Sequence, residues 1–284
     1  MDIEKLNYAQ LQHDIQIAYT DNNQQGKPCL LFIHGLANYL SVWHWNILEL
    51  QNHYRCIAID LPGNGHSSRT NCNYGIPFFA EIVVEFIAKL DLKNVILVGH
   101  SMGGQIALFT ALHHADKIDK LILFAPAGFE YFSAHEAMLL KSAMTFGNFM
   151  VLDEMQITQS IQQAFHQQST IANKIIEDLH VIIQKNNRTQ YRKMLDQCIH
   201  SMLEMQVFSA LNKIQHDTLV FFGENDQLIP NQFLHATTPK AIGEKAVKLM
   251  PNARLITYPA TGHFAQIERA KEVNLAMQKF IQNR

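Results

Sequence analysis

The strongest chemical signal in the chain is a serine set among glycines, Gly99-His100-Ser101-Met102-Gly103, followed by Gly104. An apolar run, Val95-Ile96-Leu97-Val98, precedes it, and a helical pattern from Gln105 to His114 follows. Gly-x-Ser-x-Gly between a strand and a helix marks a turn sharp enough to hold the serine in strained backbone geometry, with glycine where side chains would collide. The strain lifts the hydroxyl clear of the turn, and the helix amino end offers free N–H groups to developing negative charge. A serine hydroxyl is a weak nucleophile at neutral pH and requires an adjacent base. Of the 15 histidines, His263 has the most suitable context: an expected strand over 254–258, the turn Pro259-Ala260-Thr261-Gly262, and then a helix. The acid that orients the imidazole is expected between the two in sequence. Asp226 lies in Gly223-Glu224-Asn225-Asp226-Gln227-Leu228-Ile229-Pro230, just past the apolar run 219–222, and is the first candidate; Glu224 and Glu130 compete with it. Together these residues predict acyl transfer, in which Ser101 attacks, His263 takes and returns the proton, and Asp226 fixes the tautomer.

Acyl transfer also needs two backbone donors aimed at the developing oxyanion. The N–H of Met102, next to the serine, is one candidate, and the N–H of Leu36, in the loop His34-Gly35-Leu36-Ala37-Asn38, is the other. Gly35 allows close backbone approach, and His34 reads as a residue that fixes the loop. Trp43 and Trp45 flank His44 beyond that loop and either line a pocket or pack in the core. Arg188 and Arg192 either decorate a solvated face or bind a substrate carboxylate. His113 and His114 are adjacent and cannot share one site on a helix. The chain contains no His-Glu-x-x-His and no Cys/His set with ligand spacing, so neither a metal nor another cofactor is expected. Gly63-Asn64-Gly65 lacks the Lys-Ser/Thr of a phosphate loop and reads as a tight turn.

These residues must be carried by a sheet. Continuous apolar runs at 29–33, 55–59, 95–98, 121–124, 219–222 and 255–258 read as strands buried on both faces. The alternating stretch 15–19 reads as an edge strand. Helical spacing recurs at 78–90, 105–114 and 273–281, and strands alternating with helices imply a parallel sheet covered on both sides. The alternation stops after Pro126. From Ala127 to about Ser209 the pattern is helical, with Met138, Met144, Phe146, Phe149, Met150, Met155, Phe165, Met194, Met202 and Met205 placed as core or as cavity lining. Loops at the carboxyl ends of parallel strands surround the site, so this insertion is a candidate lid. The expected division is a core over 1–126, a helical cap over 127–209, and the rest of the core over 210–284.

Composition narrows the partners. The 284 residues carry a formal net charge of −2, from 23 Lys+Arg against 25 Asp+Glu, so nothing attracts nucleic acid electrostatically. No apolar stretch is long enough for a spanning helix. The amino terminus has no basic start followed by an apolar run, and the four scattered cysteines suit a reducing compartment, so a cytoplasmic location is expected.

Four separated segments resemble the α/β-hydrolase superfamily. They are His34-Gly35, Asp60-Leu61-Pro62-Gly63-Asn64-Gly65-His66-Ser67, Gly99 to Gly104, and Gly223 to Pro230 followed by Gly262-His263. The resemblance implies an eight-stranded, mostly parallel sheet flanked by helices, a helical cap after the sixth strand, and the Ser101-Asp226-His263 triad. Within the superfamily the chain is similar to carboxylesterases and to C–C bond hydrolases of ring-cleavage products. Those C–C enzymes typically carry tryptophan after the histidine, where this chain has Phe264. The expected reaction is hydrolysis of an uncharged, mainly apolar ester of a small molecule. The alternatives are C–C hydrolysis and a hydrolase-like small-molecule receptor.

Overall fold

The computed structural model describes residues 6–70, 72–146, 154–167, 170–184 and 188–282. The chain lays down β1 (Asn7–Gln10), β2 (Gln16–Asp21), β3 (Cys29–Ile33), α1 (His44–Leu50), β4 (Arg55–Ile59), α2 (Ile76–Lys89), β5 (Val95–His100), α3 (Met102–His113) and β6 (Lys120–Phe124). Four helices follow: α4 (Ala134–Phe146), α5 (Glu154–Ala164), α6 (Thr170–Gln184) and α7 (Arg188–Glu204). The sheet then resumes with β7 (Asp217–Gly223), α8 (Pro239–Val247), β8 (Ala253–Tyr258), α9 (Ala265–Glu268) and α10 (Ala270–Gln282). The eight strands form one sheet in the order β1-β2-β4-β3-β5-β6-β7-β8. From β4 to β8 all pairs are parallel, while β2 runs antiparallel to β4 and β1 antiparallel to β2.

The central strands are apolar over most of their length because both faces are covered. Leu30, Leu31, Phe32 and Ile33 have no exposed surface. Helix α2 packs on α3, which lies along β5, and α1 packs on α10. Two details depart from the sequence reading. The stretch expected as an edge strand is second from the edge, because the short β1 pairs outside it; four residues, Asn7-Tyr8-Ala9-Gln10, offer too little alternation to be recognised. Helix α3 starts at Met102 rather than Gln105, because Gly103 and Gly104, the weakest helix formers after proline, hide its first turn.

Register places the loops that matter side by side. Ile33 lies opposite Gly99, so the loops after β3 and β5 leave the sheet as neighbours. Gly223 lies opposite Tyr258, which does the same for the loops after β7 and β8. The turn after β4 is wound around the fully buried Asp60. Its carboxylate accepts the N–H of Leu40 and the N–H of His66, each at 2.7 Å. The Ser67 hydroxyl donates to the Asp60 carbonyl at 2.6 Å and accepts from the Ala18 N–H at 2.8 Å.

Gly65 sits at φ +50°, and a Cβ there would meet Asp60 Oδ2 at 2.0 Å. Overpacking against a fixed carboxylate, added to left-handed strain, predicts that Gly65→Ala loses at least about 2 kcal/mol. The urea midpoint tests this, and an unchanged midpoint would remove Asp60 as the centre of the turn.

Candidate functional site

Ser101 stands at φ +54° and ψ −116°, between the last residue of β5 and the first of α3. Its N–H donates to the Phe124 carbonyl at 2.9 Å, and its own carbonyl accepts from Gly104 and Ala127 at 2.9 and 3.0 Å. The glycines answer to close approach. A Cβ on Gly99 would lie 2.4 Å from the Gly103 carbonyl oxygen, and one on Gly103 would lie 2.4 Å from that of Ile33. Any side chain at either position would push the serine out of the turn.

The imidazole of His263 donates from Nδ1 to Asp226 Oδ2 at 2.7 Å, and both residues are buried. This bond leaves Nε2 as the proton acceptor. The other carboxylate oxygen of Asp226 accepts the N–H groups of Leu228 and Ile229, at 2.8 and 3.1 Å. The competing acids go elsewhere. Glu224 is exposed and accepts from the Thr257 hydroxyl at 2.8 Å. Glu130 is buried and takes the His235 Nδ1–H and the Asn231 N–H on a single oxygen, Oε1.

His34 holds the loop after β3. It accepts the Leu61 N–H on Nε2 at 3.0 Å, so Nδ1 carries the proton and donates to the Gly35 carbonyl at 2.8 Å. Leu36 in that loop faces the same cavity as Ser101 and His263. Met102 is the first residue of α3, where a helix leaves its N–H without an intrahelical acceptor.

Two anchoring residues carried no sequence signal. His100, a free position in the Gly-x-Ser-x-Gly pattern, is buried and donates from Nε2 to the His263 carbonyl at 3.1 Å. It thereby joins the serine turn to the loop that carries His263. Glu268, on α9, accepts the Gly262 N–H at 2.8 Å and the His166 N–H at 3.0 Å, so one carboxylate holds both the His263 loop and the segment after α5. Only the folded positions of 166, 262 and 268 show these roles.

Ser101 and His263 open onto a cavity of about 420 Å³. Part of its wall comes from the helices between β6 and β7, through Ile161 and Ala164 of α5 and Leu195, Met202 and Leu203 of α7. Phe264 lines the cavity, stacked on Phe165 with ring centroids 4.7 Å apart and tilted against His100 at 4.8 Å. Trp43 does not line it: the indole has no exposed surface and packs beneath the site against Phe32, Phe124 and His100. The ring belongs to the core cluster and not to the cavity wall. Arg192 is exposed and is not among the cavity residues. Arg188 opens α7, but its side chain lies outside the described residues, as do those of Met144, Phe146, Phe149, Met150 and Met155. Met138 and Met205 are exposed, Met194 is buried against Gly63, and Met202 lines the cavity. Among the described residues, no group of three or more His, Cys, Asp or Glu is placed to hold a metal ion, and no helix is long and apolar enough to cross a membrane.

The model of the alpha/beta hydrolase fold family matches residues 28–153. The chain is 24% identical over 271 residues to the uncharacterized hydrolase YugF of Bacillus subtilis, covering 94% of each. It is 26% identical over 258 residues to the dihydrolipoyllysine-residue acetyltransferase component of the acetoin cleaving system of Cupriavidus necator. That match covers 90% of this chain, which spans 64% of the relative's length. A solved meta-cleavage product hydrolase from Pseudomonas fluorescens shares the fold at a TM-score of 0.77 and 21% identity, over 97% of each chain.

Burial holds two imidazoles neutral at the site. It pushes His34 below the ordinary value and His100 well below it, the latter helped by repulsion from His263 and His34. On acidification the unfolded chain takes up these protons first. Their stabilisation is complete above about pH 6.5 and is lost as pH falls toward the folded values. Each tenfold difference in proton affinity between the folded and unfolded chain is worth about 1.4 kcal/mol. Burial raises the carboxyls of Glu130 and Glu268, which act in the opposite sense, so slopes rather than absolute stabilities should be compared. Calorimetry between pH 7 and pH 5 should show a shallower loss of stability in His100→Gln than in wild type. If neither His100→Gln nor His34→Gln changes the slope, the acid sensitivity lies elsewhere.

Proposed function

We propose, on the premise that the chain belongs to the α/β-hydrolase superfamily, that it is a serine hydrolase acting on an uncharged, mainly apolar carboxylic ester. In this reading Ser101 is the nucleophile, His263 the general base and then acid, and Asp226 the residue that fixes the imidazole tautomer. The observation that carries the reading is the convergence of a strained Ser101 with the 2.7 Å His263–Asp226 pair at one cavity. The proton leaves Ser101 for His263 Nε2 as the hydroxyl oxygen attacks the ester carbonyl. The imidazolium formed is stabilised by Asp226 and returns the proton to the leaving alcohol. Water then repeats the sequence on the acyl-enzyme. The N–H groups of Met102 and Leu36 hold the oxyanion in both steps. Residues 127–209 act as a cap that roofs the cavity and keeps water from the acyl-enzyme.

The cavity's charge favours an ester over the dienol acid of a C–C hydrolase. A buried substrate carboxylate needs a cationic partner. Among the described residues lining this cavity there is no lysine or arginine, and Glu130 contributes a carboxylate of its own. Phe264 stands where the C–C enzymes typically have tryptophan, which points the same way.

Three measurements test the assignment. Ser101→Ala should lower kcat on a p-nitrophenyl ester by a factor on the order of 10⁶, the scale seen when a serine hydrolase loses its nucleophile. Asp226→Asn should cost on the order of 10⁴ through loss of the correct tautomer. In wild type, kcat/KM for a neutral ester should exceed that for a dienol acid, and Arg192→Gln should leave the ester value nearly unchanged. A dienol acid that is the better substrate would replace ester hydrolysis with C–C hydrolysis. Stoichiometric binding without turnover would favour a receptor.

A further inference from the structure

Among the described residues lining the cavity, Glu130 is a carboxyl group that the proposed reaction does not use. Glu130 is 5% exposed and lines the cavity, yet both hydrogen bonds to its carboxylate fall on the same oxygen, Oε1. Oε2 accepts no hydrogen bond from the described residues and is not among the side-chain oxygens sealed away without a partner. Glu130 lines the cavity, and Oε2 is the carboxyl oxygen that its protein partners leave to a ligand there. The carboxylate is rigidly held. Asn231 N–H binds Oε1 at 2.7 Å, and the same oxygen is paired to His235, whose Nε2 reaches Glu136 of α4 at 3.3 Å. Both nitrogens of His235 face carboxylates, Nδ1 that of Glu130 and Nε2 that of Glu136.

The neighbouring polar group on this wall is already committed. Gln206 donates to the Phe132 and Leu203 carbonyls and accepts from the Phe132 N–H. An acyl or alcohol chain in the cavity thus meets a mainly apolar wall and, at Glu130, an acceptor held in place by Asn231 and His235. A methyl group there would bury an ionised oxygen without a partner, which costs more than a made bond returns. A second carboxylate would meet like charge. An ammonium would be stripped of its water against a carboxyl group whose other oxygen is already paired to His235. A hydroxyl can donate one bond to Oε2 at the smallest desolvation cost.

We infer that Glu130 is a specificity residue, and that the substrate is a neutral ester bearing a hydroxyl group on the part that reaches Oε2. The inference rests on the ester reading of the same site and adds the polar group that the ester must carry.

Glu130→Gln separates recognition from scaffolding. The amide oxygen can still accept from Asn231 and His235, while the cavity-facing atom changes from acceptor to donor. Two substrate pairs place the hydroxyl on either side of the ester: p-nitrophenyl 6-hydroxyhexanoate against p-nitrophenyl hexanoate, and 2-hydroxyethyl butyrate against propyl butyrate. In wild type, at least one pair should favour the hydroxylated member in kcat/KM by about tenfold, the scale of a hydrogen bond to a charged acceptor. The preference should reside mainly in KM, and Glu130→Gln should abolish most of it. Equal rates within both pairs, or a preference that survives in Glu130→Gln, would overturn the inference while leaving the ester reading intact. Failure of wild type to cleave any of the four esters would instead overturn the ester reading. The contact can then be read without turnover, by the binding of 1,6-hexanediol against its dimethyl ether to Ser101→Ala protein. Tighter diol binding that Glu130→Gln removes supports the inference, and equal binding ends it.

Discussion

The backbone of Ser101, held at φ +54°, is the constraint from which the rest of the site follows. A non-glycine residue in that region costs on the order of 1–3 kcal/mol and persists only where its surroundings over-determine it. Here β5 must stop, reverse and enter α3 within one residue, while the end of β3 passes against the first turn of the helix. Backbone meets backbone at Gly99 and Gly103, at separations that no Cβ would permit. The same crowding exposes the serine hydroxyl and brings the helix amino end behind it. Strain, exposure of the serine hydroxyl and access to free N–H donors therefore come from one packing arrangement.

The loops that complete the site have little regular structure, so their polar backbone must be satisfied by side chains. The molecule answers with buried ionisable groups, each bound to peptide N–H or C=O groups. Asp60 holds the turn after β4, His34 the loop after β3, and His100 joins the serine turn to the His263 loop. Asp226 closes its own loop through Leu228 and Ile229. Each anchor replaces a ladder of sheet hydrogen bonds with one or two strong contacts. Precision at the carboxyl edge of the sheet thus comes from buried polarity instead of regular structure.

How much of this was legible depended on whether the information was local. The central strands were readable because burial on both faces leaves an unbroken apolar run, and the serine turn because its glycines are forced by contact within a few residues. The first turn of α3 and the short β1 were not readable, since glycine hides helical pattern and four residues hide alternation. Trp43 could be core or lining until its ring was seen between Phe32 and Phe124. Glu130 shows the limit best. Its position after a sheet strand made it a rival for the acid, and it does lie at the edge of the cavity. Its partner is His235, 105 residues away, because the path of the loop from Asp226 to His235 decides which carboxylate meets which imidazole.

That loop path also bears on how the cavity is closed. The His263 N–H donates to the Ala164 carbonyl at 2.6 Å, at the end of α5, and a Cβ on Gly262 would lie 2.5 Å from the same oxygen. Glu268 binds the peptide groups of Gly262 and His166 together. The helical segment between β6 and β7 is therefore fastened to the His263 loop by its backbone, at the residue where proton transfer is proposed. Lifting α5 would free the His263 N–H and the segment that seats the imidazole, while leaving the Asp226 contact without its support. Closing the cavity and positioning the His263 imidazole are consequently one structural event. An opening that spares the imidazole must come from parts of the segment other than the end of α5.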